Sequence, residues 1–302
     1  MALMVRTQFG DLNLADALPA IREVIQNSYE QYPDMIPNVY KVGGSNRSIE
    51  QSTSVTGFGR MVETPEGSPT NSDLAYQRYD KTYTHLEYTL SFKVTKTMIK
   101  DDQFGIVSKF AQALGMSAFD TRQTLASDVY NEAFSATNFT GGDGLQLCST
   151  AHTLVAGTEQ NRLTTDADLS VTSLRQALQD VADTTNDRGL LLNIRPKFLL
   201  VPNELEWDAS ELLKSPDRPD TSNRAINAFT PRNLTATVWN YLTDPDAWFI
   251  ICDRHDMNWY DREPFSTEDY EDKPTRSMVV QGVMRNSRGW NDWRGIYGSS
   301  GA

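Results

Sequence analysis

The chain has 302 residues, of which 39% are hydrophobic and 10% aromatic, and its formal net charge is −12. This length predicts two or three lobes, and the apolar content suffices for a sizeable core, which argues against wholesale disorder. Affinity for nucleic acid comes mainly from Lys and Arg, so the acidic balance disfavours a sequence-reading DNA-binding protein, though it allows a protein that encloses DNA.

The sequence indicates a protein that is neither secreted nor inserted in a membrane. Two cysteines, Cys148 and Cys252, are too few for a disulfide scaffold. Arg6, Gln8 and Asp11 interrupt the N-terminal apolar stretch, so no signal-peptide core is predicted. No window approaches the length of an apolar transmembrane helix. We therefore expect a soluble protein made in a reducing cytoplasm, with no membrane partner.

Residues 12–32 predict a short amphipathic helix, with Asp11 or Asn13 as candidate N-cap. Its apolar side chains recur at spacings of three and four residues and comprise Leu14, Leu18, Ile21 and Ile25. This apolar stripe is thin. The helix therefore packs either on its own domain or on a neighbouring subunit, and the sequence leaves both alternatives open.

Residues 43–78 are rich in Ser, Thr, Gly and Pro and are too polar to form their own core. Residues 48–63 alternate as a strand does, and the PEGSP run at 65–69 predicts a turn. We predict a long two-stranded excursion with a flexible tip. Because an isolated ribbon is marginal in water, it needs a partner surface. Its large apolar side chains are Ile49, Val55, Phe58, Met61 and Val62.

The chain then returns as a long strand over residues 76–99, in which the alternation changes phase between His85 and Leu86. Such a slip predicts a bulge or a bend. The side chains of the first phase are Tyr79, Tyr83 and His85, and those of the second are Leu86, Tyr88, Leu90, Phe92 and Val94.

The longest predicted helix covers about 102–136 and would span roughly 50 Å. Asp101 or Asp102 is its candidate N-cap. Gly115 inside it costs about 1 kcal/mol relative to Ala and would permit close packing. The apolar stripe comprises Val107, Ala111, Leu114, Ala118, Leu125, Val129 and Ala133.

Residues 145–255 alternate helical and strand patterns, which predicts a compact mixed lobe. The predicted elements are a helix within 168–189 with Leu174, Ala177, Leu178 and Val181 inward, a buried strand at 197–201, a helix within 202–215, a polar loop at 215–229, and strands at 235–242 and 247–253. Residues 275–298 predict a final strand with an aromatic, Arg-rich end. That end favours packing on its own lobe or against a neighbour over stacking on single-stranded nucleic acid, because the net charge is acidic.

Four soft ligands could in principle hold zinc, because Cys148 and His152 form one pair and Cys252 and His255 another. The alternative interpretation is a buried Cys252 and a turn histidine. A Cys/His hydrolase would use Cys148 as nucleophile and His152 as base, yet such partners normally come from separate segments. The acidic run at 267–274 either binds a divalent cation or is a solvated loop.

We favour the structural alternative at each of these positions. The GGDG run at 141–144 lacks the lysine and the spacing of a phosphate loop. We therefore predict no catalytic residue, no cofactor and no metal ligand, and a protein that is not an enzyme.

The order of these parts resembles the major capsid proteins of tailed bacteriophages, and four runs are similar to runs in that family. They are TGGDGLQLCSTAHTL, RPKFLLVPNELEWDASELLKS, YLTDPDAWFI and GWNDWRGIYG. Some of these runs resemble Mu-like head subunits, and encapsulin shell proteins share the fold. The resemblance covers nearly the whole chain.

The resemblance implies an α+β capsid fold in which an axial lobe and a peripheral lobe are joined by a spine helix. The implied parts are an N-terminal arm at 1–42, an extended hairpin loop at 43–80, a peripheral domain at 81–144 and 256–302 with the spine helix at about 102–136, and an axial domain at 145–255.

It also implies a structural subunit that self-assembles as hexamers and pentamers into an icosahedral head around double-stranded DNA, which it contacts without sequence specificity. A portal protein and scaffold, protease or decoration proteins are the further implied partners. The location is the virion, after assembly in the bacterial host cytoplasm. The runner-up is an encapsulin-like shell around cargo protein. The long polar segment at 43–78 favours the phage head, and a Cys/His hydrolase or zinc protein ranks third.

Overall fold

The computed structural model describes residues 14–101, 105–215, 229 and 234–302. The described helices are α1 (Leu14–Glu30), α2 (Ile36–Val39), α3 (Lys96–Lys100), α4 (Ile106–Asn131), α5 (Val171–Asp183) and α6 (Glu206–Lys214). The described strands are β1 (Lys41–Gly44), β2 (Ile49–Val55), β3 (Gln77–Thr84), β4 (Leu86–Thr95), β5 (His152–Thr153), β6 (Thr158–Glu159), β7 (Pro196–Val201), β8 (Thr235–Val238), β9 (Trp248–Cys252), β10 (Met257–Asp272), β11 (Ser277–Trp290) and β12 (Ile296–Ser299).

The first four-stranded sheet has the order β1-β10-β11-β4 and carries α1 and α4 on one face. Its centre is the long antiparallel pair β10–β11, to which β1 adds in parallel and β4 antiparallel. The core between sheet and helices is apolar and comprises Ile21, Ile25, Val94, Val107, Ala111, Leu114, Met278 and Val280. Burial of these side chains is what holds α1 on its own chain.

Helix α1 lies directly against α4, which answers the question that its thin apolar stripe left open. Ile25 is fully buried between the two helices. A Cβ atom on Gly115 would lie 2.4 Å from the carbonyl oxygen of Ile25 and 2.9 Å from Cβ of Ser28. The predicted close approach at Gly115 is therefore confirmed. The two candidate caps of α1, Asp11 and Asn13, lie outside the described residues.

The spine helix is shorter than predicted. Helix α4 has 26 residues, about 39 Å at 1.5 Å per residue, in place of the predicted span of 102–136. It begins after Gly105, whose φ of +64° suits glycine, so Asp101 is not its N-cap; Asp101 instead ends α3. Asp102 lies outside the described residues. The helix stops at Asn131 because the chain tightens, with the Ala133 N–H bonded to the Tyr130 carbonyl.

The second four-stranded sheet has the order β12-β9-β7-β8 and is buried on both faces. The residues of β9 alternate between two cores. Phe249 and Ile251 face the cluster that contains the second half of α4, whereas Trp248 and Ile250 face α5 and α6. The inward face predicted for α5 is confirmed, with Leu174, Ala177, Leu178 and Val181 all buried. The predicted polar loop at 215–229 lies almost entirely outside the described residues.

The chain crosses from the first sheet to the second at its C-terminal end. Strand β11 belongs to the first sheet, whereas β12 pairs with β9 in the second. The aromatic side chains of this end, Trp290, Trp293 and Tyr297, are buried within the chain. The last strand therefore lies in the second sheet, although it directly follows a strand of the first.

The two-stranded excursion is confirmed as an antiparallel ribbon of β2 and β3, which pairs from Ile49↔Thr84 to Val55↔Gln77 with one register shift between Thr53 and Val55. Strand β2 ends at Val55, earlier than the predicted 63, because the residues beyond it make few backbone bonds. The PEGSP turn is closed by the Ser68 N–H on the Pro65 carbonyl. The break at His85 matches the predicted slip, since β3 pairs with β2 and β4 pairs with β11.

Replacing Gly115 with Val should destabilise the fold by about 1–3 kcal/mol, because the new side chain would force α1 away from α4. Urea unfolding followed by circular dichroism measures this change. The matched control is Gly44→Ala, since a Cβ at Gly44 meets nothing within 4 Å. Equal stabilities of the two variants would contradict the proposed packing.

Candidate assembly surfaces

The tip of the ribbon, residues 60–72, follows a neck formed by residues 56–59 and 73–76. Several hydrogen bonds join the two sides of this neck. The Thr56 N–H donates to the Tyr76 carbonyl, and the Gly59 N–H donates to Asp73 Oδ2 at 2.8 Å. Beyond Gly59, residues 60–72 are exposed throughout. The tip is therefore closed at its neck and presents its remaining surface to solvent.

Apolar side chains are concentrated on this exposed ribbon. Six of them leave more than half of their surface accessible, and they are Val55, Phe58, Met61, Val62, Leu74 and Tyr76. Contiguous exposed apolar side chains mark interaction sites on soluble proteins. An isolated ribbon gains too little from its own contacts to stay ordered in water, so a partner surface would supply what the chain lacks.

The base of the ribbon is anchored by charged groups. Arg78 on β3 pairs with the buried Asp187, which also accepts a bond from Arg294 at 3.0 Å. Arg188 donates to the Leu74 carbonyl at 2.6 Å. These contacts tie the ribbon to the lobe that carries α5, so its base is fixed while its tip is free.

Lys81 on β3 adds a further anchor, because its Nζ donates to the Thr140 carbonyl at 2.7 Å. Burial lowers the pKa of Lys81 below its usual value. Sequence reasoning missed this network. Arg78 and Asp187 stand 109 positions apart, and nothing in the local pattern links them.

A second candidate surface lies along β4, which is an edge strand of the first sheet. Leu86 and Leu90 are half exposed there. Beside them is a cleft of about 490 Å³ between β4, α4 and the side chains of Phe265 and Met284. An exposed apolar edge strand is a ready template for pairing with another chain, which makes this edge a candidate interaction surface.

The four soft side chains considered for zinc do not converge. Among the described residues, no group of three or more His, Cys, Asp or Glu side chains is placed to hold a metal ion. Cys148 and Cys252 are free, buried thiols on opposite cores of the second sheet. Burial raises the pKa of Cys148 well above its usual value and that of Cys252 to about 12. A buried thiol of raised pKa favours a packing role over a nucleophilic one.

His152 is held by residues other than Cys148. Its Nδ1 lies 2.6 Å from Asp143 Oδ2, and its Nε2 lies 3.0 Å from Asn161 Oδ1. The amide of Asn161 donates to the carbonyls of Leu147 and Ile296, which fixes its oxygen towards His152. Both ring nitrogens of His152 are thus hydrogen-bonded. Through Asp143 and Asn161 they link the GGDG turn to the start of β12. The ring also stacks on Trp293 at 4.2 Å between centroids.

The remaining sequence candidates also have structural partners. The acidic run at 267–274 was considered as a solvated loop, but its first six residues belong to β10 because they pair with β11. Asp272 pairs with Lys93, Glu271 with Lys96, and Asp269 with Arg22. These carboxylates are therefore neutralised by cations of this chain.

Asp143→Asn should lower the free energy of unfolding at pH 7 by about 1–3 kcal/mol, because His152 would lose a buried partner. Burial raises the pKa of Asp143, but bonds from His152 and the Leu145 N–H outweigh it, and the pKa lies below its usual value. The stabilisation is thus complete above about pH 4 and is lost as the pH falls through the folded-state pKa. Urea titrations at pH 7 and pH 3 test this, with the exposed Asp183→Asn as control. A difference in unfolding free energy between wild type and variant that is larger at pH 3 than at pH 7 would contradict this prediction.

None of the described helices is long and apolar enough to cross a membrane.

Comparison with curated protein sequences returns no significant match. Solved structures of the same fold include the capsid of bacteriophage JBD30, with a TM-score of 0.59, 14% identity and coverage of 78% of this chain and 100% of the other. Microbacterium phage Oxtober96 gives a TM-score of 0.56 at 11% identity, covering 97% and 100%. A virus-like particle from Pyrococcus furiosus gives 0.56 at 10% identity, covering 93% and 98%.

These identities are low, so the structural likenesses establish the fold alone. The family is established by sequence. The family model described as "Phage capsid protein" matches residues 78–299, which is about three quarters of the chain. That span runs from the base of the ribbon through α4 and both sheets to the last residue of β12. The chain therefore belongs to the phage capsid protein family.

Proposed function

We propose that this structural capsid protein assembles as hexamers and pentamers into the icosahedral head of a tailed phage. The head would enclose double-stranded DNA, which an acidic wall of net charge −12 per chain contacts without sequence specificity and without strong retention. The ribbon of β2 and β3 carries the proposal. It has no core of its own and exposes six large apolar side chains, so it needs a surface that a single chain does not provide.

In this account the ribbon is a clasp that lies on a neighbouring copy. The anchors at Arg78 and Lys81 fix its direction, while the tip at 60–72 is free to take its place on the neighbour. Ordering a free tip costs conformational entropy, which keeps each early contact weak and reversible. Repetition of one contact around a closed lattice then makes the whole shell stable through multivalency.

We further propose the division into an N-terminal arm, the extended hairpin loop, a peripheral domain with the spine helix α4, and an axial domain around the second sheet, with β12 assigned to the axial part. A portal protein and scaffold, protease or decoration proteins are the proposed partners. Assembly would take place in the bacterial host cytoplasm. Affiliation with Mu-like heads stays a prediction.

An encapsulin-like shell around cargo protein is the second candidate, and the likeness to the Pyrococcus furiosus virus-like particle supports it. The length of the ribbon favours the phage head. We propose no catalytic activity for either candidate, because the buried thiols and the fully engaged His152 serve packing.

Deleting residues 60–72 should leave a folded, soluble chain and reduce particle yield at least tenfold. The deletion is structurally mild, since the Gly59 N–H donates to Asp73 Oδ2 and the two ends to be joined are therefore neighbours. Sedimentation and electron microscopy measure the yield, and thermal unfolding checks the fold. A matched control is Met116→Ser, which removes an exposed apolar side chain from α4 and leaves the ribbon intact. Particles of wild-type yield and stability in the deletion variant would contradict the clasp.

A further inference from the structure

The outward face of α6, on the second sheet's lobe, packs against no other element of the part of the chain that the structure describes. Its buried side is apolar and formed by Ala209, Leu212 and Leu213. On the opposite side, Trp207 leaves 80% of its surface exposed. Acidic side chains in the first turn of a helix are stabilised by the helix dipole, whereas an exposed Trp at that place gains no such stabilisation. Large exposed aromatic side chains are typical anchors of protein interfaces.

Trp207 is surrounded by carboxylates. Glu204 stands three residues before it and Glu211 four residues after it, which places them near the same face. Glu206 and Asp208 flank it in sequence. All four carboxylates are exposed, and within the described part of the chain none forms an ion pair. We call this surface, Trp207 with the four carboxylates, the acidic end.

Strand β7 precedes α6 in the chain, and four cations lie near its beginning. Arg195 and Lys197 stand at the start of β7, and Arg254 and Lys41 line one cleft nearby. His255 lines the same cleft as Lys41 and Arg254, and burial together with the charges of Lys41 and Lys197 lowers its pKa to about 4. We call the four cations the basic end.

The four cations are exposed, and they form no salt bridge with any described residue. Two carboxylates lie among them, and both are already used by backbone groups. Asp253 accepts from the Arg195 N–H, and Asp256 accepts from the N–H groups of Asn291 and Asp292. Four cations thus stand against two carboxylates, so the basic end keeps an excess of positive charge in a chain of net charge −12.

The two ends lie one strand length apart. β7 has six residues, about 20 Å, with the basic end at its beginning and α6 directly after its end. A two-fold contact through either end would set like charges against each other, which costs free energy. A head-to-tail contact instead sets opposite charges together, and repeated head-to-tail contacts close into a ring when the rotation from copy to copy completes a full turn.

We infer that the acidic end of one copy docks on the basic end of the next copy, with the Trp207 indole covering its cations, so that the second sheets are joined head to tail around a ring. This inference rests on the proposed shell function and names the contact that closes its rings. The charges guide encounter and fix register, and Trp207 supplies the buried anchor. An indole face is also the best aromatic surface for a Lys or Arg side chain.

Three charge variants test the contact through assembly rate, measured by light scattering at low salt. The first reverses the acidic end with Glu204→Lys and Glu211→Lys, the second reverses the basic end with Lys197→Glu and Arg254→Glu, and the third carries all four changes. We expect each reversed end alone to slow assembly at least about tenfold. The difference in assembly rate between variant and wild type should become smaller as the salt concentration rises. The chain with all four changes should assemble within about twofold of wild type, because opposite charges again face each other.

The controls separate docking from folding. Asp183→Lys makes once, at an exposed site on α5, the acidic-to-basic change that the first variant makes twice, and should assemble as wild type does. Trp207→Ala should slow assembly in every charge background, whereas Tyr270→Ala, an exposed aromatic on β10, should not. Thermal unfolding confirms that each variant is folded.

The outcomes distinguish this inference from the function on which it rests. If wild type forms shells and all three charge variants assemble at its rate, the shell function stands and the head-to-tail contact is overturned. If the chain with four changes is as slow as either reversed chain, the two ends do not face each other and the contact is likewise overturned. If wild type forms neither rings nor shells, both proposals fail together.

Discussion

The second half of α4 is the element on which the rest of this fold depends, because it packs against both sheets. Tyr130 is fully buried there, and its ring meets Trp239 and Phe249 of the second sheet's lobe edge-on. Its hydroxyl donates to the Val39 carbonyl at 3.1 Å, just before β1 of the first sheet. Tyr40 returns the contact by donating to the Ala126 carbonyl at 2.6 Å. A rigid spine between the lobes follows from these contacts.

The ribbon of β2 and β3 differs from this body in how it is stabilised. With the two lobes joined through α4, the ribbon of β2 and β3 is left as the part that the chain's own core does not stabilise. Its base is bonded to the lobe by Arg78 and Lys81, yet its tip exposes the apolar side chains that a soluble monomer would normally bury. The chain thus has a well-packed body and a ribbon whose exposed apolar side chains have no cover among the described residues. That division suits a subunit of a closed shell.

Much of this architecture could be predicted from local pattern. The slip at His85, the ribbon, the inward face of α5 and the close approach at Gly115 follow from periodicity and from glycine chemistry, which act over a few residues. The ends of α4 could not, since Gly105 in a left-handed conformation and the turn at Ala133 depend on neighbouring segments.

Long-range pairings were equally beyond local pattern. The switch of β12 to the second sheet and the ion pair between Arg78 and Asp187 join segments far apart in the chain, and periodicity carries no information on which partners meet. The candidate surfaces were therefore predicted as segments, such as 43–78, but not as residues with named partners. Trp207 stands in one of the runs that resemble the family, but its exposure could not be predicted, because a helical pattern alone does not show which side chains remain uncovered.

The central claim is that the isolated chain is incomplete and that copies of it complete one another in a shell. The most direct test is negative-stain electron microscopy of the purified full chain, expressed alone and together with candidate scaffolding proteins from the same genome. The account predicts rings or closed shells in at least one of the two preparations, and their contents distinguish a phage head from a cargo compartment. A strict monomer or small oligomer in both preparations would contradict it.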